Sequence, residues 1–171
     1  VVYETLNLAA LFVLPFLLVF ENNLYSFNSK LKDRRSAGHD VEKIVSGFGA
    51  TYIRANGNDY EDVYAKAQQA VAHIRAGKGP VVLECITYRH MAHSAPLFDD
   101  AQGYREEDVL EKRLEQDSLK RLKGILSAQG VTETVFAQLE KEAREYALEA
   151  IRHAEVSPYP PADDMYKNLY V

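Results

Sequence analysis

Two short apolar runs, each leading into polar residues, give the first indication of the fold. PFLLVF, at positions 15–20, is followed after one glutamate by the adjacent amides of Asn22 and Asn23. VVLECI, at positions 81–86, is followed by the polar segment TYRHMAHS. Such runs are typical of parallel strands buried on both faces. Ligands bind beyond the carboxyl ends of these strands, so the polar residues after each run are candidate site residues.

The residues between the two runs alternate between helical and extended patterns. His39–Asp40 can cap a helix over VEKIVSGFG, and TYIRA has the pattern of a short strand. A turn and cap at positions 56–59 then lead into YEDVYAKAQQAVAHIRAG, which has apolar residues at helical spacing. Alternating helices and strands predict an α/β fold with a doubly wound, mostly parallel sheet.

The chain changes character at Arg105. From there to residue 156 it is charged, and three segments each carry a narrow apolar stripe, which predicts helices that pack on the domain or contact another subunit. Residues 157–171 are rich in proline and lack periodicity. The predicted organisation is therefore an α/β part at 1–104, a helical extension of it at 105–156 and an extended tail at 157–171.

The apolar first twenty residues resemble a membrane segment, but the pattern favours another interpretation. Glu4 and Asn7 interrupt the run early and Pro15 divides it, whereas a spanning helix needs about 20 uninterrupted apolar residues. We expect a buried helix at about Tyr3 to Phe12, a turn and a buried strand. Because the chain opens inside a helix without an initiator methionine or a cap, we also expect it to be part of a longer protein.

The net charge and the cysteine count of the chain argue against several classes of function. The 171 residues carry a net charge of −5 and have no long basic block, which argues against a nucleic-acid partner. The only cysteine, Cys85, lies inside an apolar strand, which excludes a disulfide framework or a thiolate metal site within this chain.

The polar residues after the two predicted strands leave two interpretations open. The oxygens of Asn22 and Asn23 suit Mg²⁺, which takes a few protein ligands and completes its shell with water or phosphates. His93, after the second strand, can hydrogen-bond a diphosphate or an oxyanion, or transfer a proton near neutral pH. The alternatives are a simple asparagine-rich turn and an ordinary loop histidine. Arg89 and Arg105 are interpreted as loop anchors.

Several motifs together resemble one family. ENNLY, GFGATYIRANG, GKGPVVLECITYR, HSAP, the downstream YRE and the tail DDMYKNLYV occur in the order and spacing found in one class of enzyme subunit. The chain resembles the alpha subunit of thiamine-diphosphate-dependent 2-oxo acid dehydrogenases. These are the decarboxylating first components of pyruvate, branched-chain 2-oxo acid and acetoin dehydrogenase complexes, and the resemblance implies the thiamine-diphosphate-binding fold.

The resemblance also implies site residues. The side chain of Asn23 and the backbone carbonyl of Tyr25 match Mg²⁺ ligands, the metal bridging the diphosphate of thiamine diphosphate. Ser26 matches a position whose backbone lies along the cofactor, and His93 matches the active-site histidine. The family's cofactor motif begins with Gly-Asp-Gly, and only its second half is present here.

The implied function is oxidative decarboxylation of a 2-oxo acid with acyl transfer to a lipoyl group. The implied partners are a beta subunit, forming a heterotetramer, and the lipoyl-bearing acyltransferase component, with no nucleic acid and no membrane. The implied location is the cytoplasm, or the mitochondrial matrix in a eukaryote, and this chain alone is expected to be inactive. The substrate stays open between pyruvate and branched-chain acids. The alternatives are an acetoin dehydrogenase alpha subunit, a non-catalytic α/β interaction module and a transketolase-like enzyme.

Overall fold

A computed structural model describes residues 1–94, 104–105 and 113–167 of the chain. Its centre is a parallel sheet of three strands, in the order β1-β3-β2. The strands are β1 (Leu17–Asn22), β2 (Thr51–Asn56) and β3 (Val81–Ile86). Both outer strands pair with β3 in parallel. The predicted α/β fold with a parallel sheet is confirmed.

Six helices are described around and after the sheet. They are α1 (Val2–Leu11), α2 (Leu31–Arg34), α3 (Val41–Gly47), α4 (Tyr60–Arg75), α5 (Ser118–Ala128) and α6 (Glu133–Val156). A short 3₁₀ helix, Ala162–Tyr166, lies within the tail. The single-turn helix α2 was not predicted, because four residues are too few to show a helical period.

Aspartates begin three of these helices, and two of them lie where the sequence predicted a cap. Asp40 accepts hydrogen bonds from the backbone amides of residues 42 and 43, at the start of α3. Asp59 does the same for residues 61 and 62, and Asp117 for residues 119 and 120. Each carboxylate satisfies amides that have no partner within the helix and interacts favourably with the helix dipole.

The core lies on both faces of β3. On one face, Leu83 packs in a cluster that includes Ile53 of β2 and Ala70 of α4. On the other face, Val82 packs with Leu6 of α1 and Val45 of α3. Helices therefore cover both sides of the sheet, as in a doubly wound fold, and β3 is buried throughout except at its last residue, which is half-buried.

The prediction that the first helix and strand are both buried is wrong for most of their residues. Only Leu6 and Ala9 of α1 are buried, and β1 leaves Val19 51% exposed. The physical reason is position: among the described residues β1 pairs with β3 alone, and α1 contacts the sheet through a narrow stripe. An apolar run shows that burial of its side chains is favourable, but it does not show which other residues pack against them.

The chain divides into two compact units, Val1–Gly124 and Ile125–Val171. The sheet, its covering helices and all the candidate site residues belong to the first unit, and the whole of α6 belongs to the second. Among the described residues, none of the helices has both the length and the apolar character that crossing a membrane requires.

Leu83 tests whether this core carries the stability of the first unit. Its side chain is 1% exposed at the centre of β3, so Leu83→Ala should lower the free energy of unfolding by about 2 to 5 kcal/mol. Leu119 is 75% exposed, and Leu119→Ala should cost no more than about 0.5 kcal/mol. Urea denaturation of both variants measures this, and equal losses would contradict the packing described.

Candidate functional site

The carboxyl ends of the three strands lie side by side at one edge of the sheet. Asn22 at the end of β1 and Asn56 at the end of β2 both pair in register with Ile86 at the end of β3. The loops that follow the strands therefore start from the same edge. This is where a parallel α/β sheet binds ligands.

The loop after β1 begins with a turn built by its two asparagines. Asn22 Oδ1 accepts the amide hydrogen of Leu24 at 3.0 Å, and Asn23 Oδ1 accepts that of Tyr25 at 2.9 Å. Leu24 has a φ of 64°, a left-handed conformation that is unfavourable for a leucine. The asparagine-rich turn is thus present. It does not exclude a metal ligand, because an amide oxygen has two lone pairs and the turn uses one of those of Asn23.

A buried carboxylate on the central strand holds Asn22 in place. Asn22 Nδ2 donates a hydrogen bond of 2.7 Å to Glu84 Oε1, and the hydroxyl of Tyr52 donates to Glu84 Oε2. Asn22 is 7% exposed and Glu84 is 4% exposed. Burial, reinforced by the hydrogen bond to the carboxylate, raises the pKa of the Tyr52 hydroxyl well above its usual value. Sequence reasoning missed this group, although a glutamate inside an apolar strand is a visible signal.

The loop after β2 is tied to the end of β3. The backbone amide of Gly57 donates to the carbonyl of Ile86 at 2.7 Å, and a Cβ on Gly57 would lie 2.9 Å from the same oxygen. Thr87 donates its hydroxyl to Asn58 Oδ1 at 2.9 Å and its amide to the carbonyl of Asn22 at 3.0 Å. The three strand ends are therefore linked directly to one another.

A cavity of about 990 Å³ opens at this edge. Asn23 and Tyr25 line it, whereas Ser26 and His93 are absent from its described lining. Six basic residues line it together with one carboxylate, that of Glu115: Lys30, Lys32, Arg35, Arg113, Lys120 and Arg121. This surplus of positive charge in an acidic chain favours an anionic ligand.

The structure places His93 against the loop that follows β1. Its ring packs edge-on against Phe27 with centroids 4.9 Å apart, and Nδ1 lies 3.2 Å from a guanidinium nitrogen of Arg89. Arg89 also donates to the carbonyl of Phe27 at 3.3 Å. The two polar segments singled out in the sequence are therefore neighbours, although about 70 residues separate Asn23 from His93 along the chain.

Arg105 holds aromatic side chains from three places together. It is 8% exposed, and its guanidinium carbon lies 4.7 Å from the ring centre of Tyr25, 4.4 Å from that of Tyr88 and 5.5 Å from that of Tyr104. It also donates to the carbonyl of Arg89 at 2.7 Å. This arrangement, which joins cation–π contacts to a hydrogen bond, agrees with the role of a loop anchor.

The oxygen atoms available at this edge of the sheet fit a Mg²⁺ ion that is bound by the protein and by a phosphate ligand together. Within residues 1–94, 104–105 and 113–167 there is no group of three or more His, Cys, Asp or Glu side chains arranged for a metal. Amide and carbonyl oxygens at Asn23 and Tyr25 are hard ligands of the kind Mg²⁺ uses alongside substrate phosphates, and the basic cavity beside them suits those phosphates.

Comparison with known proteins identifies the family. A family model described as dehydrogenase E1 component matches residues 1–163. The chain belongs to the dehydrogenase E1 component family. It is 35% identical over 170 residues to the pyruvate dehydrogenase E1 component subunit alpha of Rhizobium meliloti. The aligned region makes up 98% of this chain and 48% of that protein.

Two further relatives of the same description agree with this family assignment. The protein of Zymomonas mobilis is 36% identical over 99% of this chain and 47% of its own length. That of Rickettsia prowazekii is 34% identical over 99% of this chain and 51% of its own length. This dehydrogenase E1 component chain therefore spans about half the length of the curated relatives it matches.

The raised pKa of Tyr52 predicts how the stability of this E1 component chain depends on pH. Its pKa in the folded state is raised, so the stabilisation it provides is complete below the unfolded-state pKa of about 10 and declines as the pH rises above that value. Tyr52→Phe should therefore be less stable than the wild type at pH 8, by about 1 to 3 kcal/mol for an unsatisfied buried acceptor. At pH 11 the difference should shrink.

Urea denaturation midpoints at the two pH values measure this effect. Tyr146→Phe is the control, because Tyr146 is 78% exposed and its hydroxyl should contribute equally little at both pH values. A Tyr52→Phe difference that is the same at pH 8 and pH 11 would contradict the prediction.

Proposed function

We propose that this chain is the part of a 2-oxo acid dehydrogenase alpha subunit that carries the second half of a thiamine diphosphate and Mg²⁺ site. The observation that supports this most strongly is the convergence of three linked strand ends on a basic cavity lined by Asn23 and Tyr25. The reaction is oxidative decarboxylation of a 2-oxo acid. Pyruvate is the favoured substrate, because the relatives named above are pyruvate dehydrogenase subunits.

Each candidate residue has a separate task in this proposal. The side chain of Asn23 and the backbone carbonyl of Tyr25 bind the metal, and the backbone at Ser26 lies along the cofactor. The cationic lining of the cavity compensates the negative charge of the diphosphate. An anionic metal ligand comes from elsewhere in the longer protein, as the incomplete cofactor motif requires.

Thiamine diphosphate, when bound, supplies the carbanion chemistry of decarboxylation. The task of His93 is to hydrogen-bond developing negative charge and to transfer a proton. Arg89 can only donate, so Nδ1 of His93 accepts its hydrogen bond and the proton of the neutral ring lies on Nε2. We therefore assign the donor role to Nε2.

The proposed partners follow from the same assignment. A beta subunit completes the active site in a heterotetramer, and the lipoyl-bearing acyltransferase component accepts the acyl group. The chain alone is then inactive, and we place the assembled enzyme in the cytoplasm, or in the mitochondrial matrix of a eukaryote. We also assign residues 1–104 to the cofactor-binding α/β domain, 105–156 to its helical extension and 157–171 to the tail.

Asn23→Ala tests the metal and cofactor site. In the full-length subunit with its beta partner, calorimetric titration with thiamine diphosphate and Mg²⁺ should show affinity reduced by about 10-fold or more, because a ligand oxygen is lost. Asn28→Ala, which removes an exposed amide from the same loop, should bind like the wild type. No binding by folded wild-type complex would favour a non-catalytic interaction module.

His93→Gln tests the catalytic assignment independently of binding. The rate of 2-oxo acid decarboxylation should fall by about 100-fold or more, the scale of a lost acid–base group, while the calorimetric affinity for the cofactor changes little. His153→Gln on the exposed surface of α6 should leave the rate unchanged. A rate for His93→Gln within 2-fold of the wild type would mean that the activation barrier changes by at most about 0.4 kcal/mol. That result would remove this residue from the mechanism.

A further inference from the structure

Glu84 is a buried charged group to which the proposed function gives no task. We propose that Glu84 is a positioning residue for the metal site: through Asn22 it holds the turn that presents Asn23 and the carbonyl of Tyr25 to the metal. This inference rests on the proposed function, since it concerns the same pair of ligands. Glu84 itself does not touch metal or cofactor in it.

Because Glu84 is buried, its carboxylate needs hydrogen-bond donors. It is 4% exposed in the middle of β3, and a buried carboxylate is costly unless it is hydrogen-bonded. Its donors come from the two neighbouring strands: Asn22 of β1 donates to one oxygen, and Tyr52 of β2 donates to the other. Among the described residues, Glu84 forms no salt bridge. Its interactions are therefore directed at these two side chains.

The hydrogen bond from Asn22 has a geometric consequence. The carboxamide of Asn22 is planar, so fixing Nδ2 on Glu84 also fixes the direction of Oδ1. That oxygen accepts the amide hydrogen of Leu24, and Leu24 has a φ of 64°. A leucine adopts this conformation only where its surroundings impose it. Glu84 thus acts on the backbone two residues beyond Asn22.

The backbone of Asn22 is held as firmly as its side chain. Its carbonyl accepts the amide hydrogen of Thr87, the first residue after β3, at 3.0 Å. The carbonyl and the carboxamide of Asn22 are thus both hydrogen-bonded to β3 or to the residue that follows it, which anchors the start of the turn. Asn23 and Tyr25 flank the left-handed residue, so the direction of their oxygens depends on its φ.

Loss of the carboxylate has a specific expected effect. Without Glu84, the amide of Asn22 loses its fixed partner, Leu24 can relax from the left-handed region, and the two ligand oxygens lose their mutual geometry. Residues that orient metal ligands in this way change metal affinity by about 10- to 100-fold when they are replaced. A purely structural residue of the core would lower stability instead, without changing the metal requirement of the folded protein.

The test uses the full-length subunit with its beta partner and compares two variants. Glu84→Met keeps the length of the side chain but removes both acceptors, whereas Tyr52→Phe removes only the donor on the side away from Asn22. The Mg²⁺ concentration that gives half-maximal thiamine diphosphate binding is measured by calorimetry. Thermal denaturation confirms that both proteins are folded at the temperature used.

We expect Glu84→Met to raise that Mg²⁺ concentration by about 10-fold or more and Tyr52→Phe to change it by less than about 2-fold. Glu84→Gln, whose amide oxygen can still accept from Asn22, should recover most of the affinity. Equal effects of Glu84→Met and Tyr52→Phe, or no effect of either, would overturn the proposal. If Glu84→Met does not fold, Asn22→Asp replaces it, because it removes the N–H donor to Glu84 while keeping an oxygen that can accept the amide hydrogen of Leu24.

Asn23→Ala in the same assay separates the two proposals. If Asn23→Ala reduces binding but Glu84→Met behaves like Tyr52→Phe, the metal site stands and the positioning role fails. If Asn23→Ala binds metal and cofactor like the wild type, the proposed ligand itself is wrong.

Discussion

The arrangement of the site depends on one constraint: a carboxylate buried on the central strand must be hydrogen-bonded. Glu84 satisfies it through Asn22 on one neighbouring strand and Tyr52 on the other, so a single side chain links all three strands of the sheet. The backbone adds further links at the strand ends, where Thr87 and Gly57 donate to the carbonyls of Asn22 and Ile86. A loop that carries ligand oxygens is thereby attached to the most buried part of the fold.

Much of this fold follows from local patterns in the sequence. The apolar run of β3 predicts burial on both faces, and the structure confirms it, because helices cover both sides of that strand. Asp40, Asp59 and Asp117 mark helix starts, because capping depends only on the next few residues. The burial of α1 could not be predicted in the same way. It depends on which parts of the protein cover that face, and the run itself contains no information about them.

The candidate site was predictable in outline but not in its contacts. Parallel strands end at a common edge, so the positions of the Asn pair and His93 after two strands made both candidate site residues. The role of Asn22 was not visible, since its carboxamide acts through Glu84, which is 62 residues away. The cations of the cavity, such as Lys32 and Lys120, come from separate loops and helices, and no local pattern brings them together.

The most direct test of the account is the position of the metal. Crystals of the full-length subunit with its beta partner, thiamine diphosphate and Mn²⁺ in place of Mg²⁺ would show the ion by its anomalous scattering. We expect an ion that contacts the side chain of Asn23 and the carbonyl of Tyr25, with the hydrogen bond from Asn22 to Glu84 intact. An ion bound elsewhere, with Asn23 serving only the turn, would contradict it.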